Sequence, residues 1–135
     1  MARGEEMTQY AFGLGARRGV AAGELIEVVT RVAAQHGLQT QGAQLYALQS
    51  KSEEGGFHEA AQALGATLVF LPLAALKARK GSAATHSPRV QAMFGVGSVS
   101  EAAALVGAGV GSRLLAPRIS TRFAACAVAR SVEEA

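Results

Sequence analysis

The sequence predicts an α/β domain: a three-layer α/β/α sandwich around a mixed, mostly parallel sheet of about five or six strands, ending in an antiparallel hairpin. Three observations carry that prediction. Short apolar stretches alternate with runs of helical periodicity, the pattern of strands joined by crossover helices. The last two strand-like stretches, 113–117 and 124–129, are only about six residues apart, too close for a crossover helix, so they pair antiparallel. Half of the 135 residues are apolar but only 5% are aromatic, which suits alanine-rich helices packed on a sheet better than an all-β sandwich.

Each element follows in order. Residues 1–9 form a polar leader that is expected to be loosely ordered, as is the tail 131–135. The strand at 10–14 runs through Gly13 and Gly15 to Arg17, Arg18 and Gly19. From 21 to 36, Leu25, Ile26, Val29, Val32 and Ala33 recur at helical spacing, with Glu24, Glu27, Arg31 and Gln35 on the other face. Gly37 is placed to stop that helix, and His36 in its last turn complements the helix dipole. A second strand at 45–48 leads through a polar stretch, Gln49 to Gly56, into a helix with Phe57, Ala60, Ala61 and Leu64 on one side and Gly65 as its stop. The run 67–71 reads as a buried central strand, and Pro72 opens a short helix over 73–78. Residues 77–88 read as a mobile surface loop, and 93–97 as a short strand or turn. Ser98 or Ser100 caps a helix through Glu101, Ala102, Ala103, Leu105 and Val106, which the cluster from Gly107 to Gly111 ends. There is no internal repeat, and 1–135 is expected to form one domain.

Composition narrows the function. Between Tyr10 and Arg130 there are 12 Lys and Arg against six Glu, so the body of the chain is basic and its partner is expected to be acidic. Aspartate and asparagine are absent, which removes Asp-based triads and dyads and most carboxylate-rich metal sites. Cys126 is the single cysteine, so no internal disulfide and no multi-cysteine zinc site can form. It falls in an apolar strand and reads as a small core residue. His58 and His86 have no partner at metal-ligand spacing, and no metal or cofactor is expected. No apolar run is long enough to span a membrane and the start has no signal-peptide core, so a cytoplasmic location is expected.

The stretch Gly13-Leu-Gly-Ala-Arg-Arg-Gly19 carries the chemistry. A strand feeding a glycine turn that opens a helix offers free N–H groups and a helix dipole to an anion, and two arginines add a bidentate grip on carboxylates. The glycines do not fit a dinucleotide fingerprint, because Arg18 stands where the third belongs, and Gln49-Ser50-Lys51 replaces the acidic ribose partner. No P-loop lysine occurs. The basic residues are not interleaved with aromatics, so nucleic acid is not expected as a partner. Ligands of open α/β sheets bind beyond the carboxyl ends of the parallel strands. If the strand at 113–117 runs parallel to the first, the turn from Arg118 to Arg122 lands on that rim too. The candidate ligand-binding residues are therefore Gly13, Gly15, Arg17, Arg18, Gly19, Ser50, Lys51, Arg118, Ser120, Thr121 and Arg122, with Ser98 counted beside its capping role.

Four stretches together resemble the CobE/CbiG C-terminal domain family of cobalamin biosynthesis: Gly13 to Gly19, Lys51 to Phe57, Gly97 to Leu105, and Thr121 to Arg130. The likeness spans nearly the whole chain, from Ala11 to Arg130. It implies a three-layer α/β/α fold and a role in building the corrin ring of vitamin B12. CbiG-type members open a lactone on a cobalt-containing ring intermediate and release a two-carbon fragment. A chain of this length looks like the short, stand-alone form of the aerobic, late-cobalt route. Two positions depart from the family pattern, Ala16 where a cysteine is frequent and Gln49 where an acid is frequent, and both departures favour binding over catalysis. The expected ligand is a corrin or precorrin, a flat apolar ring edged with carboxylate arms, and other enzymes of the pathway stand as candidate protein partners. The alternative within the pathway is a lactone hydrolase with Glu53, Glu54 or His58 as acid/base. Outside it, a small phosphate- or nucleotide-binding domain would use the same turn.

Overall fold

A computed structural model describes residues 8–132 of the chain. Its elements are β1 (Tyr10–Ala16), α1 (Ala22–His36), β2 (Gln44–Leu48), α2 (Gly55–Leu64), β3 (Thr67–Leu71), α3 (Leu73–Lys77), α4 (Pro88–Phe94), α5 (Val99–Ala108), β4 (Arg113–Leu114), β5 (Ile119–Ser120) and β6 (Ala124–Arg130). The sheet order is β3-β2-β1-β6-β4, with β5 also paired to β6. β1, β2 and β3 are parallel, β6 is antiparallel to β1 from Ala16↔Ala124 to Tyr10↔Arg130, and β4 and β5 are antiparallel to β6. Five strands thus point one way and β6 alone opposes them, which is the mixed, mostly parallel sheet with an antiparallel close that the sequence predicts.

Side-chain size decides how the layers stack. On one face Phe12, Leu14, Leu45, Cys126 and Val128 meet Leu25, Val28, Val29 and Val32 of α1 and Phe57 of α2. Burial pushes the Cys126 thiol well above the ordinary thiol range, as expected of a core residue. The opposite face offers small residues, Gly13, Ala127 and Ala129, and α5 lies close on them. A Cβ on Gly13 would strike the Ser100 carbonyl oxygen and the Ala104 amide, so this glycine sets the approach of α5 to β1. Val99 to Leu105 are buried all round, the pattern of a helix covered on every side. Among the described residues no single helix is long and apolar enough to cross a membrane.

Three expectations are corrected. The run at 67–71 is an edge strand rather than a central one, and its apolar residues are half-buried. Layers cover both its faces, which makes it apolar throughout, and side-chain pattern does not report an open lateral edge. The segment 93–97 is not a strand, because α4 already occupies Pro88–Phe94. Ser87 accepts from the Val90 N–H at 3.3 Å and Pro88 fills the first turn, a start signal that the loop reading passed over. The strand expected at 113–117 is shortened to β4 at Arg113–Leu114, and a separate pairing with β6, β5, follows at Ile119–Ser120, with Pro117, which has no N–H for the ladder, between them. The tails expected to be loose lie mostly outside the described residues, at 1–7 and 133–135, while the Ser131 N–H donates to the Gln9 carbonyl at 2.9 Å.

Candidate ligand-binding cleft

The carboxyl ends of β1 and β2 and the start of β6 open onto a cleft of about 600 Å³. β6 begins where β1 ends, so the β5–β6 turn is delivered beside the glycine turn of β1. Two bonds tie the turns together: the Arg17 N–H donates to the Phe123 carbonyl at 3.0 Å, and Arg17 Nε to the Arg122 carbonyl at 3.0 Å. The condition for convergence is met, since β4 and β5 run in the same direction as β1.

Nine of the sequence-derived candidates line this cleft: Gly15, Arg17, Arg18, Ser50, Lys51, Arg118, Ser120, Thr121 and Arg122. Three do not. Gly13 is buried beneath α5, where its missing side chain serves packing. Gly19 has φ +76° and stands outside the lining, with its N–H donated to Glu54 Oε1 at 3.1 Å. Ser98 is fully buried and caps α5, accepting from the Glu101 N–H at 3.3 Å. Thr121 is in the lining, but its hydroxyl serves the turn, accepting from the Phe123 and Ala124 N–H groups and lying 3.1 Å from Glu24 Oε1.

Other contributors escaped sequence reasoning. Arg89, Val90, Met93 and Phe94 of α4 form one wall, and they were hidden because that stretch read as loop and strand. Apart from Arg89 the wall is apolar, with Met93 58% exposed, so a flat apolar ligand has a surface to lie against. Glu101 lies outside the lining but holds it. It is fully buried, and its Oε1 accepts from the N–H groups of Ala84 and Thr85 at 2.8 and 2.7 Å. Its Oε2 accepts from Thr85 Oγ1 at 2.7 Å and the Arg118 N–H at 2.9 Å. One buried carboxylate therefore anchors both Ala84–Thr85 and the Arg118 turn. Ser98-x-x-Glu101 has the form of a capping box, the signal that could have drawn attention to it, but the Glu side chain turns away to these loop donors.

The electrostatics are lopsided. Arg17, Arg18, Lys51, Arg89, Arg118 and Arg122 line the cleft, against Glu54 as its carboxylate. Lys51 pairs with Glu54 at 3.2 Å. Among the described residues none of the five guanidinium groups is paired with a carboxylate, and Arg122 lies 5.5 Å from the Phe123 ring centroid. Of the residues expected as acid/base, only Glu54 lines the cleft, and both its oxygens accept hydrogen bonds. Glu53 is exposed away from it, and His58 Nε2 lies 2.6 Å from the Ser52 carbonyl.

Comparison with known proteins gives one answer. The family model described as "Cobalamin synthesis G C-terminus" matches residues 10–129. Protein CobE of Sinorhizobium sp. is 35% identical over 118 residues, spanning 87% of this chain and 77% of that one. The crystal structure of CobE, a protein from the cobalamin (vitamin B12) biosynthetic pathway, superposes with a TM-score of 0.85 at 29% identity, over 96% of this chain and 94% of that one. Cobalamin biosynthesis protein chiG from Agrobacterium tumefaciens gives a TM-score of 0.68 at 28% identity, over 92% and 99%.

Proposed function

The chain belongs to the cobalamin synthesis G C-terminus family and is a protein of the cobalamin biosynthesis pathway, and from that premise we propose that it binds a corrin or precorrin intermediate through its carboxylate arms. The observation that carries this reading is the set of five arginines on one cleft whose guanidinium groups have no carboxylate partner among the described residues. Guanidinium groups left without counter-charges around a cavity favour a ligand that brings several of its own, and each can take a carboxylate bidentately. The floor and α4 wall add Leu14, Leu48, Val90 and Phe94, which suit the apolar ring. The volume lies within the range of small-molecule sites.

The protein acts as a binding partner that carries, shields or hands on an intermediate. Support for this over lactone hydrolysis comes from Glu54, whose oxygens are both engaged, and from the placement of Glu53 and His58 away from the cleft. Titration with hydrogenobyrinic acid tests the proposal. Its visible bands should shift and the protein should resist heating; no shift and no thermal protection would overturn it. Loss of a two-carbon fragment from a lactone intermediate would establish the hydrolase instead. Nucleotide-dependent thermal stabilisation without a corrinoid response would point to the nucleotide-binding reading.

A further inference from the structure

Glu54 is an anomaly in a cleft whose other charged residues are all cations. It is the N-cap residue of α2, yet its side chain makes no capping bond to that helix. It reaches across to the β1–α1 turn instead, where Oε1 accepts from the Gly19 N–H at 3.1 Å and Oε2 from Lys51 Nζ at 3.2 Å. A glycine-turn N–H beside an ammonium is the donor pair an incoming carboxylate needs. Here the chain supplies that carboxylate itself. The pair is sheltered, its side chains 15% and 21% exposed, whereas the Arg31–Glu27 pair on the helix surface is about half exposed at 54% and 53%. Solvent and salt therefore screen it much less than an ordinary surface pair.

We infer that Glu54 is a resident carboxylate that closes the Lys51–Gly19 corner to acidic groups, so that the cleft accepts ligand acids at its arginines and a neutral group at that corner. The inference rests on reading the cleft as a polycarboxylate site. A ligand acid brought to the corner must either displace Glu54 from both its donors or sit beside a like charge, and each course is unfavourable. An amide or hydroxyl placed there meets no such penalty and can donate to the carboxylate. The corner thus discriminates by repulsion while the arginines attract, which fixes how an unevenly charged ring lies in the cleft.

A double-mutant cycle tests this. Glu54→Gln keeps an oxygen for the Gly19 N–H but removes the charge and frees Lys51. Its affinity for hydrogenobyrinic acid should rise about tenfold, as expected for one unscreened charge at short range. The loss caused by Lys51→Ala should be at least about fivefold larger in the Glu54→Gln background than in the native one, because only there is the lysine available to the ligand. Glu54→Ala should give a gain of the same sign, and Glu53→Gln, which removes an exposed charge outside the cleft, should give none. Unchanged or weaker binding in Glu54→Gln, additive effects of the two substitutions, or an equal gain in Glu53→Gln would each overturn the inference. Benzene hexacarboxylate, titrated in parallel, separates the two levels. If it binds with the same coupling while hydrogenobyrinic acid does not bind, the corrin reading falls and the closed corner stands. If neither binds, both fall.

Discussion

Glu101 shows how one buried side chain holds a surface site in place. Four donors from two segments converge on it, and no cation is paired with it among the described residues. Glu101→Gln would turn an amide NH2 toward N–H groups, stranding buried donors, which costs on the order of 2 kcal/mol. Chemical denaturation should register that loss, and corrinoid titration should show weakened binding because the Arg118 turn loses its anchor. Native stability in this variant would mean that the loop donors find other partners. Gly13 makes the companion case. Gly13→Ala places a methyl group against the backbone of α5, and overpacking of this kind costs about 1–3 kcal/mol or more, readable as a lowered denaturation midpoint. Cys126 gives a pH prediction. Its thiol is protonated in the fold far above the ordinary value of 9.0 and ionises more readily when unfolded. The stability it confers is therefore complete below about 9.0 and is lost progressively as pH rises beyond it, and at pH 8 thiol reagents should modify the protein only as fast as it unfolds.

At the scale of elements, the carboxyl end of α5 depends on a side chain from elsewhere. Arg79 donates through one nitrogen to the Leu105 and Gly109 carbonyls and Ser112 Oγ, and through the other to the Ser112 carbonyl at 2.9 Å. Arg79→Ala should destabilise by roughly 2–3 kcal/mol, as expected for lost bonds from a charged donor. Arg79→Lys should recover only part of this, since one ammonium cannot reproduce the planar fork; full recovery in thermal melts would show that charge alone matters there. The elements legible in the sequence were those with their own punctuation. α1 ends on Gly37 and α2 on Gly65, both left-handed as helix-stop glycines are, and both helices have one-sided apolar spacing. α4 was missed despite Ser87-Pro88, because a short helix with little apolar periodicity resembles a loop. β3 was misplaced because a strand's neighbours are set by tertiary pairing, which leaves no mark on the strand itself.

For the whole molecule, the legible part of the site was its charge and its position. A strand, a glycine turn and two arginines put the candidate cleft at the carboxyl edge of the sheet, and the closing antiparallel strand brought Arg118 and Arg122 to the same rim. Arg89 was not legible, because only the fold sets α4 against that rim. The diversion of Glu54 to Lys51 and Gly19 was not legible either, since it depends on a turn more than 30 residues away in sequence. Binding driven by this cationic cleft should weaken steeply with ionic strength, as interactions spanning a rim are screened within about 10 Å at 0.1 M salt. The most direct measurement is a visible-band titration of hydrogenobyrinic acid into the native protein and into the Arg17→Ala/Arg18→Ala variant, with thermal melts of both. The account predicts a band shift with the native protein, an affinity about 30-fold lower in the variant (about 2 kcal/mol), and an intact fold whose melting temperature falls by no more than a few degrees, about the effect of losing the Arg17 Nε bond to the Arg122 carbonyl. Equal affinity in the two proteins, or no band shift with the native one, would contradict it.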